Sequence, residues 1–83
     1  MLVQVRYFAS IREAIGLGSE AVVTDARTLQ ALRDELIARG GHYGASLGRG
    51  RAVRAALQRV MSDEGAALFD GAEVAFFPPV TGG

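Results

Sequence analysis

Residues 2–8, LVQVRYF, alternate between two faces: Val3, Val5 and Tyr7 on one, Gln4, Arg6 and Phe8 on the other. A period of two rich in β-branched and aromatic residues predicts a strand. Its core face is Val3, Val5 and Tyr7, which leaves Phe8 on the polar face beside Arg6. The period then changes. In SIREAIG, residues 10–16, Ile11 and Ile15 are four apart and share one side of a short helix. Ser10 is its expected cap, with Glu13 completing a capping box and Gly16 stopping it. EAVVT, residues 20–24, predicts a second short strand that can pair with the first as a hairpin around this helical excursion.

The strongest helical signal is TLQALRDELIARGG, residues 28–41. Leu29, Leu32, Leu36 and Ile37 form one apolar stripe. Thr28 is placed to cap the start, and Gly40 and Gly41 to end it, one of them left-handed. Residues 40–51 hold five of the eleven glycines and read as a loop. Residues 52–62, AVRAALQRVMS, satisfy both periods and leave helix and strand open. SDEG, residues 62–65, and Asp70-Gly71 are turns, and a last strand runs from Ala72 to Phe77. Val74 and Phe76 lie on one side of it, Ala75 and Phe77 on the other. Both sides are apolar, so the strand is buried twice over or meets something. Pro78 and Pro79 cannot donate to a ladder and end it.

The order is strand, short helix, strand, long helix, a segment of open type, strand. That predicts an α+β domain spanning residues 1–83, with a mixed sheet of about four to five strands and one main helix on one face. The first and last strands can lie parallel at the centre of such a sheet, which is the β-grasp arrangement.

Composition narrows the chemistry. The chain has 83 residues, no cysteine and 49% hydrophobic residues. Apolar burial must therefore supply the stability, and disulfide, thiol and cysteine-zinc chemistry are excluded. Nine basic residues balance nine acidic ones. The weak basic concentration at Arg49, Arg51, Arg54 and Arg59 is no nucleic-acid footprint. No apolar run approaches the roughly 18 residues of a membrane span, and MLVQVRYFAS lacks the features of a signal peptide. The expected location is cytoplasmic. All nine basic residues are arginine, so no side-chain amine exists for Schiff-base or isopeptide chemistry. His42 is the one histidine, expected to be solvated, and the 40–51 glycines lack phosphate-loop spacing.

The end of the chain, VAFFPPVTGG, carries the functional signal. Pro78-Pro79 favour a stiff extended segment. Val80, Thr81, Gly82 and Gly83 then form a slender, uncharged, flexible end, so that the expected tail covers residues 78–83. Glycine lets a backbone enter a channel where a β-carbon would clash. The group so delivered is the C-terminal carboxylate of Gly83, which adenylation makes an acyl electrophile.

At these residues the chain resembles the small subunit of molybdopterin synthase, the MoaD-type sulfur carriers of the ubiquitin-like β-grasp superfamily. Tyr7-Phe8-Ala9 with Arg12-Glu13 matches the family's opening, TLQALRDELIARG its helix, and LFDGAEVAFFPPVTGG its most specific run. The resemblance implies that an E1-like activating enzyme (MoeB type) consumes ATP to adenylate Gly83. A sulfurtransferase donor then makes the Gly83 thiocarboxylate. The tail Val80, Thr81, Gly82, Gly83 threads into the large subunit (MoaE type), and sulfur passes to precursor Z for molybdenum cofactor biosynthesis. Two such chains would flank a large-subunit dimer as a heterotetramer. The chain itself would be non-catalytic, with no bound cofactor or metal. Phe8, Met61, Phe77, Pro78 and Pro79 would face the partner, and residues 52–62 would become a strand around Ala56 to Met61. Departures from the family pattern are Gln58, Ala72 and the glycine-rich 40–52 stretch. Alternatives are a thiamine-pathway carrier of the ThiS type and a ubiquitin-like modifier conjugated through Gly83.

Overall fold

Alternation along the first strand becomes burial. In β1 (Leu2–Tyr7), Val3, Val5 and Tyr7 are buried and the residues between them are exposed. The computed structural model describes residues 1–79. Among them follow α1 (Ala9–Ile15), β2 (Ser19–Val23), α2 (Leu29–Ile37), α3 (Gly41–Leu47), β3 (Arg54–Leu57), β4 (Val60–Ser62) and β5 (Glu73–Phe77). The five strands form one mixed sheet in the order β2-β1-β5-β3-β4. Its centre is the parallel pair of β1 and β5, with Val5 beside Val74 and Tyr7 beside Phe76. The other pairings are antiparallel. This is the ubiquitin-like β-grasp fold.

The apolar stripe of α2 packs on one face of this sheet. Leu29, Leu32 and Leu36 are fully buried with Val3, Val5, Val74 and Phe76, and Ile37 packs against that core. Thr28 caps α2 through its hydroxyl, which accepts from the Ala31 N–H at 3.1 Å. Gly16 ends α1 in the left-handed region at φ 87°. The expected Ser10 capping box is absent. Phe8 is the N-cap residue, and its carbonyl accepts from Ile11 and Arg12. The Phe8 N–H is held by the Phe76 carbonyl at 3.2 Å, so pairing to β5 sets where the helix starts.

Two local expectations are overturned. Residues 41–47, read as loop, form α3. Its glycines disfavour a helix, but tertiary contacts outweigh them. Leu47 is fully buried, and the Tyr43 hydroxyl donates to Glu20 Oε2 at 2.7 Å. Arg33 of α2, itself buried, donates to the carbonyls of Leu47 at 2.7 Å, Gly48 at 2.9 Å and Arg51 at 3.2 Å. The first two of those bonds satisfy carbonyls that the end of α3 leaves orphaned. The second correction concerns the strand expected around Ala56 to Met61. It is a hairpin of β3 and β4, turning at Gln58 and Arg59. Both turn residues have positive φ, 52° and 67°, as a tight primed turn requires. The Gln58 N–H donates to the Glu73 carbonyl at 2.9 Å, and the Glu73 N–H donates to Gln58 Oε1 at 2.6 Å. The turn is thus locked to the start of β5.

Candidate functional site

Helices cover the core face of the sheet. On the opposite face, strand pairing sets side chains in rows. Arg6, Ala75, Ala56 and Met61 stand in one row across β1, β5, β3 and β4. In the next row Phe77 stands opposite Arg54. Phe8, one residue past β1, sits on the same face: Arg6 lies over its ring at 5.6 Å from the centroid.

The small side chain of Ala75 in the middle of this face leaves a hollow. Ala75 forms its floor and Phe8 and Phe77 its walls, with Arg6, Arg59 and Glu73 completing the lining of a concavity of about 380 Å³. Glu73 faces two cations: its carboxylate is 3.2 Å from Arg59 Nε and 3.8 Å from Arg6 Nη1. These exposed pairs orient side chains more than they stabilise the fold.

The expected partner residues are therefore brought together only in part. Phe8, 40% exposed, and Phe77 share the concavity. Met61, 59% exposed, is on the same face but two strands from Ala75, about 10 Å at ordinary strand spacing. Pro78 and Pro79 turn away from it. They are half-buried and line a second hollow beside Ser10, Ile11 and Ala14 of α1 and Arg51. Val80, Thr81, Gly82 and Gly83 lie outside the described residues.

Sequence reasoning missed Arg6, Arg59, Glu73 and Ala75 as site residues. Arg6 and Ala75 were within reach, because their parity is that of Phe8 and Phe77. Arg59 was not: it reaches Glu73 only through the hairpin turn. His42 is exposed, and among the described residues no group of three His, Cys, Asp or Glu side chains converges as a metal site. No helix among them is long and apolar enough to cross a membrane.

The ThiS family model matches residues 5–83. The chain is 39% identical, over 99% of its length and 100% of the relative's, to the molybdopterin synthase sulfur carrier subunit of Escherichia coli K12. It is similar to a chain in the solved protein-protein complex of subunits 1 and 2 of the molybdopterin-converting factor from Helicobacter pylori 26695. That match has a TM-score of 0.69 and 30% identity, covering 100% of both chains. The fold is also that of small archaeal modifier protein 1 of H. volcanii, with a TM-score of 0.77 at 22% identity over 95% of this chain and 98% of that one. The chain therefore belongs to the ThiS family of β-grasp sulfur carriers, in its MoaD-type branch.

Proposed function

We propose that this chain is the sulfur-carrier small subunit of a cytoplasmic molybdopterin synthase. The observation that carries the proposal is the course of β5. This strand is paired on both sides, to β1 and β3, and leads through Phe77, Pro78 and Pro79 into Val80, Thr81, Gly82 and Gly83. A rigid strand and a stiff Pro-Pro segment thus support a carboxyl end narrow enough to enter another protein.

In this reading an activating enzyme catalyses attack of the Gly83 carboxylate on the α-phosphorus of ATP, and pyrophosphate leaves. Sulfide-level sulfur (HS⁻) released from a sulfurtransferase donor then attacks the acyl carbon, the bond to AMP breaks with AMP leaving, and loss of the thioacid proton leaves the thiocarboxylate. The large subunit receives the last four residues and supplies the acids and bases that pass sulfur to precursor Z. The chain contributes the reacting carboxyl group and the docking surface, with Phe8, Phe77 and Met61 against the partner. A heterotetramer follows if two carriers bind a dimeric large subunit.

The test is intact mass after incubation with ATP, the activating enzyme and a sulfur source. The expected product is heavier by the exchange of one oxygen for sulfur, located at Gly83 by fragmentation and lost on hydrolysis. A chain lacking Gly83 should keep the wild-type melting temperature and neither acquire sulfur nor support dithiolene formation. Normal dithiolene synthesis by that variant would sink the carrier reading.

A further inference from the structure

The uncovered sheet face has a charge character that the whole chain does not. The sequence holds nine basic and nine acidic residues. Around the apolar hollow stand Arg6, Arg54 and Arg59 against the single carboxylate of Glu73. Arg6 and Arg59 share Glu73. Among the described residues, no carboxylate lies within salt-bridge distance of Arg54. Arg59 is itself 81% exposed, so its pairing leaves most of its donors to solvent. All three cations are guanidinium groups, whose planar forks match carboxylates in two-point contacts. The hollow between them is walled by phenylalanine and floored by alanine, a seat for an apolar side chain. Glu73 on its rim disfavours a phosphate backbone there.

We infer that this face docks a protein surface bearing an apolar side chain flanked by carboxylates. The apolar side chain fills the hollow over Ala75 between Phe8 and Phe77. The carboxylates pair with Arg54 and Arg59. The inference rests on the carrier reading, which requires a partner to receive the end of the chain. The four residues after Pro79 span at most about 14 Å when extended. A partner that takes Gly83 is therefore held close to the end of β5, where Phe77 and Arg54 stand. Complementary charge at such a rim acts mainly on encounter and register, and salt weakens it.

The experiment is equilibrium binding of the full chain to the purified large subunit and, separately, to the activating enzyme from its own host, at low and high salt. Wild-type affinity should fall as salt rises. Arg54→Glu and Arg59→Glu should each weaken binding about tenfold at low salt and flatten the salt dependence. Ala75→Phe, which fills the hollow, should weaken binding about tenfold or more at both salt levels. Arg27→Glu, on an exposed residue just before α2 and away from this face, should bind as wild type. Each variant is first matched to the wild-type melting temperature. Unaltered affinity and salt slope in both arginine variants would overturn the inference. If those variants also acquire sulfur at the wild-type rate, the carrier reading stands and only the docking chemistry fails. A wild-type chain that binds neither partner and takes up no sulfur overturns both.

Discussion

Glu20 gathers three donors, from β1, from α3 and from the turn between α2 and α3. The hydroxyls of Tyr7 and Tyr43 reach Oε2 at 2.8 and 2.7 Å, and Arg39 Nη1 reaches Oε1 at 2.9 Å. Burial pushes its carboxyl up, but hydrogen bonds from Arg39, Tyr43 and Tyr7 outweigh it and hold the group below the usual carboxylate range. Burial, reinforced by donation to Glu20, raises the Tyr7 phenol, and Tyr43 is raised in the same way. The signs follow from linkage. A depressed carboxyl contributes stability above its unfolded value of about 4.3, and that contribution is lost as pH falls through the folded value. The raised phenols contribute below about pH 10 and lose that contribution as pH rises through their folded values. Glu20→Gln is expected to flatten the acid limb of stability, read as the urea midpoint against pH. A variant with the wild-type acid limb would show the cluster to be energetically neutral. The sequence placed Tyr7 on the core face by parity, but nothing local paired it with a carboxylate thirteen residues on.

Elements were legible where one face is periodic and apolar, as in β1 and α2; β5 was legible as a strand, but with both sides apolar its core face was not. They were illegible where neighbours decide. Gly48 shows why α3 can end where it does: a β-carbon there would stand 2.7 Å from the Gly44 carbonyl oxygen. Gly48→Ala should therefore destabilise the protein by about 1–3 kcal/mol through forced backbone displacement, measured by urea denaturation. Wild-type stability would mean that the end of α3 yields without cost. The Gln58-Arg59 turn is the matching case in the sheet. Neither residue is a typical choice for positive φ, and only β5 lying alongside provides the two hydrogen bonds that hold Gln58 there.

The two faces of the sheet differ across the whole molecule. One face is sealed by helices around a single apolar cluster, and the other leaves Phe8 and Met61 exposed and Phe77 half-buried outside that cluster. Phe77→Asp removes an apolar wall and would bury an unpaired charge in a complex formed on this face. It should keep the fold, because Phe77 is outside the core cluster, and weaken the large-subunit complex by tenfold or more. An unchanged dissociation constant would remove Phe77 from the interface.

Local periodicity alone determined which residues of β1 and α2 face the core, and the order of residues alone placed Val-Thr-Gly-Gly directly after Pro78-Pro79. Such properties depend on spacings of a few residues, which a sequence displays directly. Tertiary structure decided the rest. It made a helix of the glycine-rich 41–47 segment through the buried Arg33, folded 54–62 into a hairpin, and carried Arg59 to Glu73. It also set Arg6 and Phe8 beside Ala75 and Phe77 by pairing the first strand with the last. These contacts join residues far apart in the chain, and their energy exists only once the sheet has closed around its core.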